Sequence, residues 1–204
     1  MSRRPDPTRK PELLAQILDY LLDKPLASLT FRSAASALGV STYTLVYQFG
    51  TRSELISEIV RAISARQLSI EKRLLSSINT PDTLDTYYEN LSVSWAWTLD
   101  PRNRQLQRLE FEASMLEVVE PGAHNFSRAL YESWLRLGRE ALESLGLSAA
   151  DAAIEARIMV DGFYGLQYDL VINGDVKGAT NAFGRLIEHH RERVEALLPG
   201  TLSA

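Results

Sequence analysis

Between Phe31 and Leu55 the chain reads FRSAASALGVSTYTLVYQFGTRSEL, and this stretch restricts the possible folds more than any other. Phe31, Ala34, Ala35 and Leu38 fall at i, i+3, i+4 and i+7, the spacing that gives a helix one narrow apolar stripe. Its two alanines let another helix approach closely. Gly39 follows the last apolar residue, where a left-handed conformation closes a helix and glycine adopts it without steric cost. A second helix restarts almost at once, with Ser41 suited to cap it and Val40 placed to pack on Leu45 as a hydrophobic staple. After Phe49 and Gly50, Thr51 and Glu54 stand three apart, so hydroxyl and carboxylate can cap each other's backbone amides at a further helix start. Helices joined by so short a turn must cross steeply.

A helix-turn-helix of this kind turns its second helix outward, with Leu45 and Phe49 in the core. Thr42, Tyr43, Thr44, Val46, Tyr47 and Gln48 are then partly or wholly exposed. An ordinary tight helical hairpin in an all-α protein is the other reading of the same spacing. Exposed aromatics and hydroxyls weigh against it, because a merely solvated helix is expected to carry Lys, Glu and Arg. Uncharged donors and acceptors suit phosphates, and Val46 can touch a thymine methyl. With Arg32 at the start of the first helix, Ser41 at the cap and Arg52 at the next helix start, these residues form the candidate set for double-stranded DNA.

The segment resembles the DNA-binding domain of TetR-family (tetracycline-repressor-like) transcriptional regulators. Gly39, Val40, Ser41, Thr44, Leu45, Phe49, Gly50, Glu54 and Leu55 match the family's pattern. Val46 stands where the family usually has a phosphate-contacting tyrosine, Gln48 where histidine or tyrosine is common, and Arg52 where lysine usually starts the fourth helix. Tyr47 is placed to take over part of the missing tyrosine's role, and Arg52 keeps the charge at a helix N-terminus that itself favours phosphate. The resemblance implies a homodimeric regulator without catalytic activity, most simply a repressor released from a palindromic operator by a small molecule. It also implies a basic plan of nine helices. Residues 1–51 would form an N-terminal arm and DNA-binding domain, and residues 52–204 an effector-binding and dimerisation domain.

Charge is distributed in keeping with that division. The chain carries 22 Lys plus Arg against 26 Asp plus Glu, yet residues 1–61 hold 8 basic and 6 acidic side chains, leaving the excess acid to the remainder. One end can meet a polyanion and the other would be repelled. Arg3, Arg4, Arg9 and Lys10 cluster in a Pro-containing stretch, which reads either as an arm along phosphates or the minor groove or as a solubilising disordered terminus.

At 204 residues with 45% hydrophobic content, the chain can bury a sizeable core in one small and one medium domain. No run approaches the ~20 apolar residues needed to cross a bilayer, and no apolar signal-peptide core follows the start, so a soluble cytoplasmic protein is expected. Cysteine is absent, which excludes disulfides and thiol redox switches. Of three histidines, His189 and His190 are adjacent on a helix and point about 100° apart, and His124 has no partner at ligand spacing, so no metal or cofactor is expected. No phosphate-binding glycine loop, nucleophile elbow or histidine beside a plausible nucleophile appears. A helical enzyme or carrier of apolar molecules that does not bind DNA is the alternative, resting only on aromatic content. A helical adaptor for protein contacts is a third.

Every long segment has helical period, and the fold is expected to be all-α. A first helix spans roughly residues 11–23, and a long one runs from Thr51 to about Ser77, with Leu68, Leu74 and Leu75 continuing its stripe until Asn79 and Pro81. Segments near 82–99, 102–119, 124–145, 149–172 and 176–198 follow, separated at Asp100-Pro101, Pro121-Gly122, Gly146 and Asn173-Gly174. In the last two, Ile158, Gly162, Gly165, Phe183, Leu186, Ile187, His190 and Val194 are candidates for a four-helix dimer interface, the alternative being that they only complete the protomer's own core. Tyr88, Trp95, Phe111, Met115, Trp134, Phe163, Tyr164 and Tyr168 are candidates to line a pocket for an apolar or aromatic effector, although aromatics of this kind are more often simply core.

Overall fold

The computed structural model describes residues 8–76, 83–119 and 126–199, with the side chains of Ser64 and residues 67–76 left aside. Arg3, Arg4, Asn79, Pro81, the Pro121-Gly122 break and His124 lie outside the described residues, as do the side chains of Leu68, Leu74 and Leu75. Among the described residues there are nine α-helices and no strand: α1 (Arg9–Leu21), α2 (Phe31–Leu38), α3 (Thr42–Phe49), α4 (Arg52–Ser76), α5 (Leu84–Thr98), α6 (Pro101–Val119), α7 (Phe126–Ser144), α8 (Ala149–Asn173) and α9 (Val176–Leu197). A single 3-10 turn, Leu26–Ser28, links α1 to α2.

The chain divides into two compact units, one comprising residues 1–66 and 109–127 and the other residues 67–108 and 128–204. In the first, Leu13, Ile17 and Leu21 of α1 meet Ala34 and Ala35 of α2, Leu45 and Phe49 of α3, and Leu55, Ile59 and Ile63 of α4 in one apolar core. Leu109 and Ala113, from the C-terminal part of α6, complete it. The connector ahead of α2 is fixed from the same helix, because the Leu26 N–H donates to a Glu112 carboxylate oxygen 2.5 Å away. Glu117 likewise accepts from the backbone N–H groups of Phe126 and Ser127, which lack intrahelical partners at a helix start.

In the second unit, Tyr87 and Tyr88 of α5, Leu142 of α7, Ala152, Ala156 and Met159 of α8 and Val194 of α9 form one cluster. Trp95, Leu170, Ala179 and Phe183 form another. Helix starts carry the expected side-chain caps: Thr83, Ser148 and Asp175 accept from the backbone N–H three residues on. Asp100 caps α6 through the N–H groups of Arg102 and Asn103, with Pro101 in the first turn where its missing N–H is not needed. No helix of the described residues is long and apolar enough to cross a membrane.

α8 is apolar on two opposite sides. Ala152, Ala156, Met159 and Leu170 are buried in the unit's core, while Ile154, Ile158, Tyr168 and Ile172 are exposed. With Asp161 and Gly165, also exposed, they recur at alternating steps of four and three residues, the spacing of a seam between packed helices.

Candidate nucleic-acid interface

α2 begins at a reciprocal cap: Thr30 accepts from the Ser33 N–H at 3.0 Å, and Ser33 Oγ accepts from the Thr30 N–H at 3.0 Å. It ends at Gly39, whose φ of 65° and ψ of 30° place it in the left-handed region. The Val40 N–H then reaches back to the Ala35 carbonyl at 3.1 Å, which closes the turn and lets α3 start within three residues. Ser41 Oγ accepts from the Thr44 N–H at 3.0 Å and lies 2.8 Å from the Thr44 hydroxyl, so Thr44 is partly committed to the cap. Val40 packs against the cluster that contains Leu45.

With Leu45 and Phe49 buried, the helical period throws Tyr43, Val46 and Tyr47 outward, at 76%, 43% and 64% exposure. Thr42 is exposed as well, and Thr44 and Gln48 are half-buried on the flanks. The Tyr43 and Tyr47 rings, one turn apart, stack with centroids 6.3 Å apart and 25° between their planes. No residue of α3 bears a charge. Gly50 then turns the chain with φ 71° and ψ −117°, and a Cβ there would run into the Glu54 carboxylate. That carboxylate accepts from the Thr51 N–H at 2.6 Å while the Thr51 hydroxyl accepts from the Glu54 N–H at 3.2 Å. The bond from the Thr51 backbone, ahead of that with its side chain, holds the Glu54 pKa below the usual carboxylate value.

The basic side chains of this unit divide by what they touch. Lys10 pairs with Glu58 at 3.2 Å and sits 5.6 Å from the centre of the Phe49 ring. Arg61 pairs with the same carboxylate, and burial, which raises the Glu58 pKa, is outweighed by these two cations, which lower it. Arg9 lies 3.7 Å from Glu12. Arg9 and Lys10 therefore belong to α1 rather than to an irregular N-terminal tail, because their chain is already hydrogen-bonded as helix. Arg52 donates from Nε to the Leu29 carbonyl at 2.9 Å and from Nη2 to the Ala27 carbonyl at 3.3 Å, so it braces the connector ahead of α2. Arg32 is different. It is exposed, and no ion pair or hydrogen bond engages its side chain among the described residues. A cation in the first turn of a helix is opposed by the helix dipole, so local stability does not account for it.

Several solved structures superpose on this chain over most of its length. A transcriptional regulator from Rhodococcus sp. Rha1 superposes with a TM-score of 0.69 at 17% identity, over 94% of this chain and 96% of that one. A structure described as the molecular basis for control of antibiotic production by bacterial hormones gives 0.64 at 18%, over 92% and 98%. A candidate transcriptional regulator from Streptomyces coelicolor A3(2) gives 0.61 at 18%, over 89% and 98%. The chain shares their fold. At these identities the likeness is one of fold alone. No family model matches the sequence, and neither does any curated protein.

The effector candidates are divided between the two compact units. Phe111 and Met115 belong to the first compact unit, where Phe111 is half-buried and Met115 is 65% exposed. The other six belong to the second unit. Trp95 is core there, stacked on Phe183 at 4.8 Å and edge-on to Phe163 at 5.7 Å, with its indole N–H donating to Thr180. Tyr88 is core too. Trp134 and Tyr164 are half-buried, Tyr164 with its ring 5.5 Å from that of Tyr131, whose hydroxyl donates to Asp161, and Tyr168 is exposed.

The dimer candidates also separate. Phe183, His190 and Val194 are buried in the protomer's own core. Gly162 admits Leu186 of the same chain, since a Cβ there would lie 2.9 Å from a Leu186 methyl, and Leu186 and Ile187 are half-buried against their own core. Ile158 and Gly165 do face outward, on the exposed stripe of α8.

Sequence reasoning missed a buried polar network in the second unit. Tyr88 Oη lies 2.8 Å from His190 Nδ1, His190 Nε2 lies 3.1 Å from the Glu155 carbonyl, and Arg193 pairs with the buried Glu155 carboxylate at 2.6 Å. Burial pushes the His190 pKa below its ordinary value, against the opposing pull of the Glu155 carbonyl and carboxylate. Burial likewise raises the Tyr87 and Tyr88 hydroxyls, so all three groups stay neutral near neutrality. The signal was Glu155 itself, a charge in phase with the inward-facing Ala152 and Met159.

Proposed function

We propose that this chain is a ligand-responsive, sequence-specific DNA-binding transcriptional regulator that acts as a homodimer, as a repressor released from a palindromic operator by a small molecule. One observation carries the reading: a short helix with an uncharged, aromatic outer face is projected from a helical core, and the preceding helix opens with an exposed arginine that no side-chain hydrogen bond or ion pair engages among the described residues. Such a helix has the dimensions of the DNA major groove, and Arg32 is free for a phosphate. The comparisons support the reading at the level of fold.

Dimerisation through α8 is supported by its second apolar side. A helix apolar on opposite faces is stable when both are covered, and its own protomer covers one. At Gly165, exposed in mid-stripe, an added Cβ would meet no atom of the described residues within 4 Å beyond its own helix backbone, yet glycine within a helix costs about 1 kcal/mol against alanine. Close approach of a partner helix would explain it. A symmetric pair would present two copies of α3 to successive turns of one groove.

The effector is proposed to be apolar or aromatic, taken up by the unit formed largely by α5 to α9. The description of one neighbour in terms of bacterial hormones accords with a signal-responsive protein and does not bear on the chemistry of the ligand. Release requires that the effector prefer the dimer state whose recognition helices are wrongly spaced, with α4, which runs from one compact unit into the other, as the covalent link. Sequence-dependent gel retardation by DNA flanking the chain's own gene is the expected outcome. An enzyme, a carrier or a protein adaptor would give none.

A further inference from the structure

We infer that α3 chooses its site by the C5-methyl groups of thymine rather than by guanine or cytosine edges, an inference that rests on the DNA-binding reading above. Direct readout of guanine normally uses Arg or Lys on O6 and N7, and readout of cytosine uses Asp or Glu on the N4 amine. None of these stands on α3. What it presents instead is the two methyls of Val46 beside the paired rings of Tyr43 and Tyr47, with the exposed hydroxyls of Thr42, Tyr43 and Tyr47 suited to phosphates.

The remaining polar groups point the same way. The Thr44 hydroxyl is engaged with Ser41 at 2.8 Å, so it is poorly placed to read a base. Gln48, half-buried on the flank, carries the helix's one side-chain amide, whose bidentate partner is adenine, the complement of thymine. Arg32 belongs to α2, and in this motif the first helix crosses the phosphate backbone, so its charge adds affinity without reading guanine. An apolar ledge with one amide at its side matches runs of T·A pairs.

The test begins with the full-length protein and a random duplex library, taken through rounds of binding and amplification. Enriched sequences are then remade with deoxyuridine in place of thymine, which deletes the methyl and leaves the pairing edge intact. Each methyl lost from under α3 is expected to weaken binding about fourfold, the effect of uncovering one buried methyl-sized group. Putting 5-methylcytosine in place of thymine at the same position should bind better than cytosine there. In Val46→Ala, whose exposed site leaves the fold intact, the preference for thymine over uracil should shrink. Enrichment followed by equal binding of uracil and thymine duplexes, or loss of binding when 7-deazaguanine removes guanine N7 under α3, overturns the inference and leaves the regulator reading standing. No enrichment of any sequence overturns both.

Discussion

Leu186 of α9 lies over Gly162 of α8 so closely that a Cβ on the glycine would come within 2.9 Å of one of its methyls and 3.2 Å of the other. One turn along the same helix, Gly165 faces open space. The two glycines therefore answer to different partners, and substitution separates them. Gly162→Ala should change stability little, because the gain of about 1 kcal/mol in helix propensity is offset by about as much for displacing Leu186 from its rotamer. Gly162→Val, which cannot be accommodated by one side-chain shift, should destabilise by about 2 kcal/mol in denaturant unfolding. Gly165→Ala should stabilise the protomer by up to about 1 kcal/mol and weaken self-association in sedimentation equilibrium. Unchanged association would remove the α8 stripe from the interface.

Tyr43, the most exposed aromatic of α3, should matter to DNA and not to folding. Tyr43→Ala is expected to keep the thermal midpoint within about 2 °C of the parent, while operator affinity falls on the order of tenfold. Equal affinity across every operator variant would mean that α3 is not the reading element.

Arg32 offers a sharper electrostatic readout. Operator affinity should fall with rising salt, and Arg32→Ala should make that dependence shallower by about one phosphate's worth of slope without altering which sequence is preferred. A change in sequence preference would assign Arg32 to a base instead.

The His190 network makes stability depend on pH in a definite direction. Its folded pKa is depressed by burial, so the unfolded chain binds a proton before the folded chain does. Stability from the neutral imidazole is fully present above its ordinary pKa of about 6.5 and is lost as pH falls from there through the lower folded value. Thermal unfolding between about pH 8 and about pH 5 should show this loss in the parent, and His190→Gln should flatten it. Identical pH profiles would place the sensitivity elsewhere.

How much of this was legible in sequence depended on distance along the chain. Gly39, Ser41 and the Thr51–Glu54 pair act on amides within a few residues, so their spacing alone announced helix ends that the structure reproduces. The grip of Arg52 on Leu29 spans 23 positions, and that of Glu112 on Leu26 spans 86, and no local pattern encodes either. The stripe on α9 was visible, but periodicity reports that a face is apolar and not what covers it. Phe183 and Val194 turned out to be covered by their own protomer. On α8, the charge of Glu155 masked an inward position that only Arg193 and the surrounding fold make tenable.

The two carbonyl contacts of Arg52 have a mechanical corollary. The first turn of α4 and the connector launching α2 cannot part without stripping two acceptors of their donor. Torque applied to the start of that long rod would thus act on the segment that launches α2, through a rivet made by one side chain.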